Sequence, residues 1–126
     1  MRLSLDTDPQ ILTVRRYGNG ELEVNAAGGG QLIRAPCILS PARLITEWAV
    51  REVSALDLAA LEPILKLRPG IVLIGSTVPA FRVSPALRKI VEGRGVALET
   101  MDLGAACRTY NVLAQEHREV VAGLFP

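Results

Sequence analysis

Pro69-Gly70-Ile71-Val72-Leu73-Ile74-Gly75-Ser76-Thr77 is the stretch that decides how this chain folds. Ile71, Val72, Leu73 and Ile74 form an unbroken aliphatic run, the pattern of a strand buried on both faces. It is predicted to be the central strand of a sheet. Upstream, Ser54 and Asp57 resemble a helix start, and Leu58, Leu61 and Leu65 follow at helical spacing. That spacing predicts a helix over 55–67, stopped by Pro69-Gly70. Downstream, Ser84-Pro85 supplies a cap and then a proline at the first helical position, predicting a helix that ends near Gly93. Gly95 leads into a predicted strand over 96–99. Strand, helix, strand in this order makes 71–74 and 96–99 a parallel pair.

Further out the pattern becomes β-rich. Residues 11–16 carry β-branched side chains, Tyr17-Gly18-Asn19-Gly20 has Asn-Gly turn chemistry, and 21–25 alternate polar and apolar. Together they predict an N-terminal β-hairpin. A flexible loop is expected over 26–30. Two short strands, 31–34 and 36–39, are expected to be broken at Pro36, and Glu47-Trp48-Ala49-Val50 reads as another strand. The Ala-rich segment from Gly104 to about Gln115 predicts a helix, and 120–125 reads as a closing strand or a helical continuation, with the strand preferred. The fold class expected is α/β (α+β-like). The chain should form a single compact domain over 1–126, with a mixed sheet, an N-terminal β-hairpin and about three packed helices, and with 1–9 partly disordered.

Composition narrows the function classes. The 126 residues are 49% hydrophobic and 21% charged, the balance of a folded domain. Fourteen Lys and Arg against thirteen Asp and Glu leave a net charge of +1, no field for gathering nucleic acid or an anionic membrane. Cys37 and Cys107 form no CxxC pair, and the one histidine cannot complete a usual zinc site. Two isolated cysteines read as reduced thiols, which points to the cytoplasm. Met1-Arg2-Leu3-Ser4-Leu5-Asp6 has neither signal-peptide nor transit-peptide character. The aliphatic run at 71–74 is far too short to span a bilayer.

Val96-Ala97-Leu98-Glu99-Thr100-Met101-Asp102, followed by Ala105-Ala106-Cys107-Arg108-Thr109-Tyr110-Asn111-Val112-Leu113, then Glu116 and Arg118-Glu119-Val120, resembles a widespread family of small α/β domains. Its eukaryotic members include a mitochondrial assembly factor for respiratory complex I and an adipogenesis-associated protein. The resemblance extends to the Asn25 region, Trp48 and the Ile71 to Gly75 strand, and Arg108-Thr109-Tyr110-Asn111 is its most specific part. It implies a compact mixed sheet with packed helices, and members that are not established enzymes. Two departures stand out: Gly75-Ser76-Thr77 where the family has a Gly-Thr-Gly type, and His117 where a glycine is common. With no transit peptide, a bacterial or archaeal-type cytoplasmic member is expected.

Several residues are candidates for a site. Arg108, Asn111, Gln115 and Arg118 recur at spacings of three, four and three, so a continuous helix carries them on one face, with Ala106, Tyr110 and Leu113 opposite. Such a stripe is either a solvated surface or a recognition face. Gly75, Ser76 and Thr77 follow a buried strand, where open α/β sheets place ligands. They lack the lysine and spacing of a P-loop, so an anion there would rely on backbone N–H groups with Arg82 and Arg88.

Cys107 lies near a helix N-terminus, where a thiol pKa can fall. His117, ten residues on, is about 15 Å along the helix axis and out of reach as its base. Cys37 reads as core, and so does Trp48. Asp6 with Asp8, and Glu99 with Asp102, offer no calcium loop or acid pair. Arg15-Arg16 reads as solvated, because only 4% of residues are aromatic and no stacking motif accompanies the pair.

These observations predict a non-enzymatic binding or assembly-type module with a protein partner. No catalytic residue, metal or cofactor is expected, and there is no strong nucleic-acid signal. The alternative is a small-molecule or anion-binding protein, or an enzyme, with a site between the Gly75 loop and Arg108. Oligomeric state is not legible in the sequence.

Overall fold

The computed structural model describes residues 10–26 and 29–126, so the expected disorder over 1–9 and the middle of the expected loop over 26–30 lie outside the described residues. In chain order the strands are β1 (Thr13–Gly18), β2 (Glu21–Ala26), β3 (Gly29–Ile33), β4 (Cys37–Leu39), β5 (Leu44–Ile45), β6 (Ile71–Ser76), β7 (Ala97–Asp102) and β8 (Val120–Phe125). The α-helices are α1 (Leu58–Leu65), α2 (Pro85–Gly93) and α3 (Leu103–Gln115).

The hairpin forms as its turn chemistry predicts. Asn19 and Gly20 both take left-handed φ, at 55° and 77°, the geometry that lets a two-residue turn follow the strand twist. β3 adds to it, giving an antiparallel sheet in the order β1-β2-β3. The expected loop over 26–30 is correspondingly shorter, since Gly29 and Gly30 pair with Ala26 and Asn25. The break at Pro36 is a change of sheet: β3 ends in the first sheet, and β4 enters a second one in the order β5-β4-β8-β6-β7.

Within the second sheet β6 pairs in parallel with both β7 and β8, as the strand-helix-strand order requires. The middle position belongs to β8 and not to Ile71–Ser76, which lies one place towards the β7 edge. An aliphatic run records burial on two faces, not rank in the sheet, and β6 is flanked and covered well enough to need it. Alternation then divides the core. Leu73, Ala122 and Leu124 pack to one side with α3 and the first sheet; Val72, Ile74, Val121 and Phe125 pack to the other with Leu61, Ile64, Leu87 and Val91 of α1 and α2. The architecture is a single compact α+β domain in which α3 lies between the two sheets.

Two local expectations are corrected. The helix predicted over 55–67 is a 3-10 turn at Val53–Ala55, an extended Leu56, and then α1, whose cap is Asp57, accepting from the Ala60 N–H at 2.8 Å, and not Ser54. Residues 47–50 form no strand. Trp48 anchors that segment through its side chain: the indole N–H donates to the Ala60 carbonyl at 2.8 Å and the ring lies 5.1 Å from that of Phe125.

Candidate functional site

β6 continues one residue beyond Gly75, and β7 runs on to Asp102, so the C-terminal ends of two parallel strands open at the same edge. There a cleft of about 600 Å³ is bounded by Tyr17 of the hairpin, the loop after β6, and the start of α3. Ser76 is buried, and its Oγ accepts the Val78 N–H at 2.9 Å, which turns the chain out of the strand. Val78 is 51% exposed, Ala80 holds a left-handed φ of 56°, and Phe81 also lines the cleft. Opposite, the Asp102 carboxylate accepts from the Ala105 N–H at 2.8 Å and caps α3.

Gly75 serves packing. A Cβ placed there would come within 2.4 Å of the Ala106 Cβ, so the residue lets α3 close onto β6. Gly104 admits the Tyr17 ring in the same way, a Cβ there falling within 2.5 Å of the phenol oxygen. Arg108 donates to that oxygen at 2.7 Å. Arg108 therefore meets the cleft through Tyr17 and does not line it.

The four residues predicted to share a face separate in the structure. Arg108 is exposed and Gln115 half-buried, but Asn111 is only 4% exposed and lies in the core. Its Oδ1 accepts from the Val14 N–H and its Nδ2 donates to the Val14 carbonyl, each at 2.8 Å. Asn111 is therefore not on a surface that a partner can reach, because β1 covers that side of the helix. Arg118 lies beyond the end of α3. It lines a second cleft, of about 510 Å³, together with Arg43 and Arg68. Of the two arginines expected near the Gly75 loop, Arg82 lines the first cleft, whereas Arg88 is held by the Leu98 carbonyl and by Glu92.

The remaining candidates take structural places. Cys107 and Cys37 are fully buried, and loss of hydration pushes each thiol up to about 12. Burial pushes the Tyr110 phenol up as well, and its O–H donates to the Leu12 carbonyl at 2.8 Å. Arg15 and Arg16 flank Glu23, at 3.6 and 2.6 Å. Among the described residues no three His, Cys, Asp or Glu side chains gather as a metal-ligand set. No helix there is long and apolar enough to cross a membrane. Sequence reasoning missed Tyr17 and Val78 as cleft residues and Arg43 and Arg68 as neighbours of Arg118. Tyr17 was legible only as part of a turn, and single arginines in loops carry no spacing signal.

Comparison with known proteins gives a consistent set of relatives. The family described as protein of unknown function (DUF498/DUF598) matches residues 14–125. A Xenopus tropicalis protein named NADH dehydrogenase [ubiquinone] 1 alpha subcomplex assembly factor 3 is 31% identical over 99% of this chain, which spans 66% of that relative's length. The Homo sapiens protein of the same name is 30% identical over 93% of the chain and is spanned over 62% of its own length. A crystal structure of a Bordetella parapertussis protein superposes with a TM-score of 0.81 at 30% identity, covering 92% of this chain and 96% of that one.

Proposed function

This chain belongs to the DUF498/DUF598 family of proteins of unknown function, and we propose that it is a non-enzymatic binding or assembly-type module that takes an apolar-anchored segment of a protein partner in the cleft beside Val78. The observation that carries this reading is the exposed apolar loop at the strand ends. Val78, at 51% exposure, stands beside Phe81 and Met101 in a cleft where two of the polar side chains already hold backbone: Ser76 receives Val78, and Asp102 receives Ala105. Apolar wall with few free polar points suits recognition of a partner side chain. The assembly-factor name of the Xenopus and human relatives supports the same class of role. The free, buried thiols fit a reducing cytoplasm as the place of action.

The rival reading places a small anion between the Gly75 loop and Arg108. Arg82 on the cleft favours it. The Asp102 carboxylate, already seated on the Ala105 N–H of α3, works against it, and so does the engagement of Arg108 with Tyr17. The test is capture of the tagged protein from its host, wild type against Val78→Asp at matched stability. A protein recovered with wild type and lost with the variant supports the reading; identical capture by both removes this cleft as the docking site. Asn111 is unsuitable for such a test because its replacement disturbs the core.

A further inference from the structure

We infer that the second cleft, at the opposite end of the β6 and β8 strands, is a binding site for a small phosphorylated molecule, held by Arg43, Arg68 and Arg118. The three arginines come from three separate connections and line one cleft of about 510 Å³, inside the range of roughly 300–1,000 Å³ typical of small-ligand sites. The ion pairs of the described residues lie elsewhere, on Arg15, Arg16, Arg34, Arg88 and Arg94. The carboxylate that shares the cleft is Glu119, one negative charge against three guanidiniums.

The backbone beneath each arginine is fixed. Arg43 closes a turn in which its N–H donates to the Ser40 Oγ at 3.1 Å and its carbonyl accepts the Ser40 N–H at 2.8 Å. Arg118 follows a left-handed His117, φ 59°, with its N–H on the Leu113 carbonyl at 2.9 Å and that of His117 on Ala114 at 3.0 Å, a closed helix terminus. Arg68 itself holds a left-handed φ of 56°, where glycine would be free of strain. The Glu119 carbonyl accepts from the N–H groups of Gly70 and Ile71, at 2.7 and 3.2 Å, joining the two connections that carry Arg68 and Arg118.

Guanidinium groups present planar donor forks that match the oxygens of phosphate, and a fixed backbone lowers the entropy lost on binding. Leu67, Pro69 and Val120 add apolar wall beside the charge, so the ligand has an anionic head and a compact apolar body.

The experiment is titration of the 15N-labelled protein with inorganic pyrophosphate, read by amide shifts and controlled with sodium chloride at equal ionic strength. Saturable shifts are expected at the non-proline amides of 40–43 and 67–70 and at 118–121. Arg43→Gln with Arg118→Gln should weaken them by about tenfold or more, the effect of losing charged hydrogen bonds. Arg34→Gln, on the pair with Glu21, which stands across from Gly18 of the first cleft, should leave them unchanged. Arg68→Gly should raise Tm and weaken binding together. Shifts that sodium chloride reproduces, shifts unchanged in the double variant, or an Arg68→Gly protein with wild-type affinity would each overturn the assignment.

Discussion

Asn111 of α3 and Val14 of β1, ninety-seven positions apart, exchange two hydrogen bonds of 2.8 Å inside the core. The amide of Asn111 thereby meets the backbone N–H and carbonyl of Val14 as a neighbouring strand would. With the Tyr110 O–H on the Leu12 carbonyl, it closes the outer edge of the hairpin sheet against the helix. Replacing Asn111 by Ala leaves both Val14 groups buried without a partner, at about 1–3 kcal/mol each. We expect Asn111→Ala to lower unfolding free energy by roughly 3 kcal/mol and to speed hydrogen exchange at the Val14 amide. Urea denaturation with exchange measured on the same sample checks this; an unchanged Val14 amide would mean that the pair does not hold the edge.

Gly75 has its close contact with Ala106. Gly75→Ala brings two methyl groups to within 2.4 Å unless α3 shifts, and should destabilise by about 1–3 kcal/mol. Adding Ala106→Gly removes one of the methyl groups and should restore part of the loss. A double variant no better than the single one would contradict this packing role.

The buried thiols set an alkaline limit on stability. Each of Cys37 and Cys107 stands at about 12 in the folded state against an ordinary value of 9.0. Below pH 9 the thiols are protonated in both states, so they confer no pH dependence there. Between about 9 and 12 the unfolded state releases protons that the folded state keeps, and stability falls by up to about 1.4 kcal/mol per pH unit per thiol. Urea midpoints measured from pH 8 to 11 should fall, and less steeply in Cys107→Ala. Both thiols should resist alkylation at pH 8 until the protein is unfolded; rapid labelling of the native protein would contradict the burial.

Thr13 is fully buried, and its Oγ1 has no hydrogen-bond partner among the described residues. Thr13→Val keeps the branched shape and removes a desolvated hydroxyl, so it should stabilise by about 1 kcal/mol. The shift in Tm decides it, and a fall would show that the hydroxyl has a role in the core.

The local elements were legible because their causes are short-range. The aliphatic Ile71 to Ile74, the Ser84-Pro85 cap, the Asn19-Gly20 turn and the strand at 120–125 each act over a few residues, and β6, α2, the hairpin and β8 formed where those signals stood. The α+β class follows from their order. The polar stripe on α3 was misleading because spacing places Asn111 on a face without telling what covers it, and β1 arrives from ninety-seven positions away. Trp48 likewise looked like a strand residue until Ala60 and Phe125 claimed its ring. Sequence by itself determined the hairpin turn, β6, α2, α3 and β8, through periodicity and capping chemistry. Tertiary structure alone decided that Pro36 divides two sheets, that Gly75 is a contact for Ala106, and that Arg43, Arg68 and Arg118 share a cleft, because a side chain's role depends on groups brought opposite it from distant parts of the chain.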